Sequence, residues 1–340
     1  MSVFRSDEFW PREVTSRLTE LRVADPDRPL TCASRRRRRI GLSGDGRLNI
    51  LAADHPGRRV TQVGADPLAM ADRHDYLARV LRVLMAETVD GVMATMDILE
   101  ELLLIDGMLR DAGGAPLLDN RLLIASLNRG GLAGTAWELD DPITVGSPRA
   151  FSAWRVDGFK FLWRISDEEP GSLKTMLAAA GAISEANAAR LPMFLEPLVV
   201  ARGDAGWKTV KSAGALARLA GVASALGDSS RYLWLKLPYC ESYETVARAT
   251  TLPILLLGGE SAGDPEPFLR EVAAGLAAGP NVRGALVGRN VLYPGEEDPL
   301  AAAEAAGGII HKGWTVAEAL EARRVNRGRD LDRVACLLAG

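Results

Sequence analysis

Cysteine is scarce. The 340-residue chain has three, Cys32, Cys240 and Cys336, widely spaced and with no CxxC. An odd count at such spacings excludes a disulfide framework and a zinc knuckle, and leaves free thiols. Histidine is as rare: His55, His74 and His311 form no HxH, HxxxH or HExxH pattern, so no metal site is expected. No apolar run approaches the roughly 20 residues that span a bilayer. The opening MSVFRSDEFWPREV is charged and has no apolar core of a secretory signal, which points to the cytoplasm. A net charge of −3 gives no general attraction to nucleic acid or membrane. One charge anomaly stands out, the run Arg35–Arg39. No aromatic platform or second basic cluster accompanies it, so it reads as a solvated or subunit-facing segment ahead of the main domain. A part in binding an anionic substrate is a weaker reading.

What is present is alternation. Short apolar runs at 47–53, 90–95, 121–127, 157–163, 192–199, 231–237, 253–257 and 284–287 are expected strands. Helix-like stretches at 70–88, 98–112, 172–190, 208–226, 241–249 and 265–278 lie between them. Alternation of this kind predicts parallel strands with crossover helices, and eight strands close a (β/α)8 barrel. An open dinucleotide-binding sheet would place GxGxxG after its first strand, where this chain has Ala53-Asp54-His55-Pro56-Gly57. The fold class expected is therefore α/β, a TIM barrel over 47–340 with an N-terminal extension over 1–46. In the extension a helix is expected over Asp7–Leu21, and a hairpin through Ser43-Gly44-Asp45-Gly46 leading into the first strand. The connection 128–156 is long enough to form part of the rim of a barrel mouth. Further helix is expected around Ala317–Arg324 and Asp330–Leu338.

Catalytic side chains of a barrel sit at the C-terminal ends of its strands. Read there, the chain offers Asp54 and His55 on strand one, Lys160 on strand four, Glu196 on strand five and Lys236 on strand six. Gly258, Gly259 and Ser261 follow strand seven, and Gly288 and Arg289 follow strand eight. Lys236 lies in the apolar run Tyr232-Leu233-Trp234-Leu235-Lys236-Leu237, where burial disfavours its cation. A neutral amine there is a nucleophile toward carbonyls; the alternative is a lysine reaching out at the end of its strand. Lys160, Glu196 and Asp54 at equivalent positions favour a site. The glycine turns and Arg289 suit a phosphate. His55 either shapes the site or is structural.

These residues resemble the class I aldolases of the deoxyribose-phosphate, tagatose-bisphosphate and archaeal-type fructose-bisphosphate group. The likeness runs from Asp54-His55 through Asp157-Gly158-Phe159-Lys160, Pro192-Met193-Phe194-Leu195-Glu196 and Lys236-Leu237-Pro238-Tyr239. It ends at Leu257-Gly258-Gly259 and Val287-Gly288-Arg289-Asn290, so it covers roughly 47–312. The loop with Asn128, Arg129, Gly130 and Gly131 looks like an actinobacterial subgroup found with inositol-degradation genes. The resemblance implies cofactor-free cleavage of a phosphorylated keto sugar through a Lys236 imine, with Glu196 or Asp54 moving protons. Lys160 would depress the pKa of Lys236 or touch a substrate oxygen. His55, Asn128, Arg129, Gly258, Gly259, Ser261, Gly288 and Arg289 would bind substrate. It also implies a homo-oligomer, and 2-deoxy-5-keto-gluconate 6-phosphate as a substrate. A transaldolase, or a non-catalytic sugar-phosphate-binding barrel, is the alternative.

Overall fold

A computed structural model describes residues 4–203, 206–259, 261 and 263–338. Nine strands form: β1 Leu48–Ala53, β2 Gly91–Ala94, β3 Leu122–Ser126, β4 Gly158–Ile165, β5 Met193–Gly203, β6 Gly206–Thr209, β7 Leu233–Pro238, β8 Ile254–Leu257 and β9 Val282–Val287. All but β6 are parallel and pair in the cyclic order β1-β2-β3-β4-β5-β7-β8-β9, with β9 returning to β1. This is the closed eight-stranded barrel expected. β6 turns back antiparallel on the end of β5.

Alternation along each strand divides the apolar residues into two cores. Leu48, Ile50, Ala52, Met93, Leu122, Ile124, Phe194, Leu255 and Leu286 form a cluster of their own inside the barrel. The remaining core packs between strands and surrounding helices.

The helices depart from expectation in instructive places. The one expected over Asp7–Leu21 is broken into Ser6–Phe9 and Arg12–Ala24 because Pro11 has no N–H to continue it. An additional helix covers Arg28–Arg35. No hairpin precedes β1: Ile40 is fully exposed, and the turn is held instead by Ser43 Oγ donating to Arg47 O at 2.6 Å. A closed barrel has no free edge for such a strand to join. The stretch expected as a helix over 208–226 begins as the β6 hairpin and turns helical only at Ala213–Ser224, capped by Ser212. A helix over Pro299–Lys312, absent from the expected series, is buried on nearly every side. Its Pro-Leu-Ala-Ala-Ala-Glu-Ala-Ala-Gly-Gly-Ile-Ile run has no polar face and so no helical period to read. Gly307 and Gly308 are where it meets Thr88 and Trp314 too closely for any Cβ. Helix over Val316–Asn326 agrees with expectation, whereas the final expected helix is only a short 3-10 turn, Ala335–Leu338.

The arginine run is not a solvated face. Arg36 is 1% exposed and donates to Arg121 O at 2.8 Å, Arg155 O at 2.6 Å and Asp157 Oδ2 at 2.9 Å. Arg38 Nε takes the other Asp157 oxygen at 2.7 Å, and Arg39 meets Asp90 at 2.5 Å. Arg35 pairs with Asp111, and the Arg37 N–H donates to Asp119. Asp90 and Asp157 immediately precede β2 and β4, so the run is a strap across the N-terminal end of the barrel. His311 joins it, with Nε2 3.0 Å from Asp90 and Nδ1 2.8 Å from Asp45. Among the described residues, no helix is long and apolar enough to cross a membrane.

Candidate active site

The inward rows that build the apolar barrel core run on into charge. Two residues beyond Ala52, Ile124, Phe194 and Leu286 on those rows stand Asp54, Ser126, Glu196 and Gly288. Lys160 is in register with Ser126 and Phe194, and Lys236 is in register with Leu255. Neighbours in register share a face of a parallel sheet. The sequence places these charges in the barrel mouth by the same alternation that places leucines beneath them.

The side chains touch in a chain. Lys236 Nζ is 3.0 Å from Glu196 Oε1, and Lys160 Nζ is 2.7 Å from Glu196 Oε2. Lys160 also lies 3.3 Å from Asp54 Oδ2, which accepts from Ser126 Oγ at 2.9 Å and carries the Arg129 guanidinium. Lys160 is wedged between two carboxylates with its side chain 1% exposed. Lys236 has Glu196 as its one carboxylate partner among the described residues, and its side chain is 8% exposed.

Burial lowers the pKa of Lys236 against the pull of Glu196, and Arg129 and Arg58 lower it further. Lys160 is lowered well below its ordinary value by burial and by Arg129, with Lys236 adding to the effect. Burial would raise the Glu196 carboxyl, but the two lysines outweigh it and hold it well below the usual range. His55 is lowered by burial, Arg289 and Lys236, so its imidazole is neutral at pH 7. Two amines poised to lose a proton thus share a carboxylate that stays ionised.

The other residues expected at the site divide into two groups. Arg129 reaches the centre. His55 packs against Gly288, where a Cβ would strike its ring and Ala52 O. Gly258 and Gly288 end neighbouring strands, and Asn290 Nδ2 ties the two turns by donating to Gly258 O at 2.5 Å. Gly259 adopts φ 67°, and a Cβ there would stand 3.6 Å from Lys211 Nζ, so that ammonium lies beside the turn. Arg289 opens the short helix Arg289–Leu292. Asn128 is different: its amide donates to Leu162 O at 2.7 Å and Asp141 O at 3.2 Å and accepts from Leu162 N–H at 2.8 Å. It stitches the long loop to β4 and is fully buried. Ser261 donates to Tyr293 O at 2.7 Å. Gly259-Glu260-Ser261-Ala262-Gly263 has the GxSxG spacing of a hydrolase nucleophile elbow. Among the described residues, however, no histidine nitrogen bonds the Ser261 hydroxyl, which is spent on backbone.

The sequence pattern did not single out Ser126, Arg58 or Lys211, and it brought in Asn290 only as part of the turn after strand eight. Ser126 had a signal, a polar residue on an inward row. Arg58 had none. It lies after β1 and reaches Glu138 at 3.9 Å, beside the Arg164–Glu138 pair that pins the loop. Arg164 also donates to Gly131 O at 3.0 Å, and Gly131 N–H donates to Asp141 Oδ1 at 2.9 Å. The loop is therefore built into the mouth wall.

Comparison with known proteins agrees with this fold. The family model described as Cgl0159-like matches residues 46–307. The crystal structure of Cgl0159 from Corynebacterium glutamicum is 36% identical, with TM-score 0.82 over 89% of this chain and 98% of that one. An archaeal fructose-1,6-bisphosphate aldolase, solved with its catalytic Lys covalently bound to the carbinolamine intermediate of the substrate, is 22% identical. It superposes with TM-score 0.56 over 83% of this chain and 99% of that one, a likeness of fold. The 2-amino-3,7-dideoxy-D-threo-hept-6-ulosonate synthase 1 of Archaeoglobus fulgidus is 33% identical over 87 residues, 26% of this chain and 32% of that protein's length.

Proposed function

Because the chain belongs to the Cgl0159-like family and holds two buried lysines on one glutamate, we propose that it is a class I aldolase acting on a phosphorylated keto sugar. The observation that carries this is the asymmetry of the pair. Lys160 is saturated by Glu196 and Asp54, while Lys236 keeps one partner and a face toward the mouth. Lys236 is therefore the nucleophile.

Its neutral amine adds to the substrate ketone, giving a carbinolamine. Loss of water gives an iminium, which accepts the electron pair when the adjacent carbon–carbon bond breaks. The cleavage needs a base for the hydroxyl of the departing aldehyde, and the dehydration needs an acid. Glu196, bridging both lysines, and Asp54, across Lys160, form the proton path. Arg129 and Arg58 help keep Lys236 neutral, and Lys160, held between Glu196 and Asp54, meets a substrate oxygen. Backbone at Gly258, Gly259 and Gly288, with Arg289 and Lys211, receives the phosphate, whose binding energy positions the reacting carbons.

The substrate we put forward is 2-deoxy-5-keto-gluconate 6-phosphate, cleaved to dihydroxyacetone phosphate and malonate semialdehyde, in a cytoplasmic homo-oligomer. Borohydride trapping with dihydroxyacetone phosphate, followed by peptide mass mapping, tests the reaction class. A reduced adduct on Lys236 is the expected result. An adduct on Lys160 reverses the lysine roles, and no adduct leaves a sugar-phosphate-binding barrel.

A further inference from the structure

The loop after β3 delivers Arg129 into the mouth, and its engagement there is unlike that of the buried arginines that hold the fold. Arg36 spends its fork on two carbonyls and Asp157, and Arg82 grips Asp298 with two bonds of 2.9 and 2.6 Å. Arg164 is held by Glu138 and by Gly131 O. The Arg129 side chain is 7% exposed. Among the described residues its guanidinium has one ion-pair partner, Asp54, with Glu196 and Asp141 attracting it from farther away, whereas Arg36 and Arg164 each hold backbone carbonyls as well. Asp54 does not need it, since Ser126 and Lys160 already serve the same oxygen.

Position adds to this. In the cyclic strand order β3 lies four places from β8 in either direction, so Arg129 faces the Gly258-Gly259 turn from across the barrel.

We propose that Arg129 is a specificity residue that binds a terminal anion, carboxylate or phosphate, on the aldehyde half of the substrate, and that doing so lifts its guanidinium from Asp54 and frees that carboxylate for proton transfer. This rests on the aldolase reading and adds to it the chemistry of the far end of the substrate. A planar fork suits either anion, and an aldehyde without one leaves Asp54 capped.

The test is condensation of dihydroxyacetone phosphate with three acceptors: glyceraldehyde 3-phosphate, succinate semialdehyde and uncharged glyceraldehyde. The wild-type enzyme should favour the anionic acceptors by about 100-fold in kcat/KM, the scale of one buried charge-assisted contact. Arg129→Met should erase that preference while still giving a reduced dihydroxyacetone phosphate adduct on Lys236, with the onset of trapping moved to higher pH because Arg129 no longer lowers that amine. Millimolar phosphite should accelerate the wild-type reaction with glyceraldehyde and not that of the variant. Should Arg129→Met fail to fold, Arg129→Lys keeps the charge, loses the fork and should lower the preference to about tenfold. The two anionic acceptors show whether carboxylate or phosphate is preferred. A wild-type enzyme that forms the imine but ignores acceptor charge overturns this proposal alone, as does a variant that loses all three acceptors equally. A wild-type enzyme that forms no imine overturns the aldolase reading with it.

Discussion

The two ends of the barrel each bury a charge network, and they are made of different residues. At the N-terminal end the cations are arginines, Arg36, Arg38 and Arg39, fixed on Asp157 and Asp90 and on backbone carbonyls. At the C-terminal end the central cations are lysines, Lys160 and Lys236, sharing Glu196. Arginine keeps its charge under burial, and its fork saturates partners in fixed directions. A lysine amine surrenders its proton when desolvated. One network is suited to staying put and the other to changing protonation state, so residue type separates scaffold from chemistry where burial alone does not.

Substitutions at the two ends should fail differently. The largest effect belongs to Lys236→Met, which should remove the borohydride adduct and cost at least about ten-thousandfold in turnover, or about 5 kcal/mol, while thermal unfolding is nearly unchanged. Retained turnover would show that the comparison has the wrong lysine. Arg36→Met should do the reverse. Leaving Asp157 with Arg38 as its one arginine and stripping Arg121 O and Arg155 O of their donor cost about 3–5 kcal/mol of stability, read in urea unfolding, with kcat preserved in the fraction that folds. Glu196→Gln should cost about 100-fold in kcat by removing a proton carrier. It should also move the acid limb of the pH–rate profile to lower pH, because Glu196 raises the pKa of Lys236.

The smallest effect should come from His311. Burial lowers its pKa, but Asp90 and Asp45 outweigh that and the net shift is upward. Its contribution to stability is thus complete below about pH 6.5, the ordinary histidine value, and lost as pH rises through the raised value. Denaturant midpoints should fall on the alkaline side by less than about 1 kcal/mol, and His311→Gln should flatten that step.

The C-terminal end was the more legible one. Asp54, Glu196, Lys160 and Lys236 interrupt apolar strands, and a charge inside a period-two apolar pattern is visible without knowing its partners. The N-terminal strap was misread because its meaning lies in pairing over distance. Five successive arginines look solvated until Asp90, Asp111, Asp119 and Asp157 are brought to them. The Pro299–Lys312 helix hid for the opposite reason, having no polar face to mark its turn. Asn128 looked like a ligand because residue type and position do not reveal that its amide is taken up by Leu162 and Asp141.

The strap also sets an order of assembly. Arg36 and Asp157 are 121 residues apart in the chain. On a ribosome the arginines emerge first and remain in water until β4 has been made, and only then can the floor of the barrel be sealed. The N-terminal segment, earliest to be synthesised, is therefore among the later parts to dock.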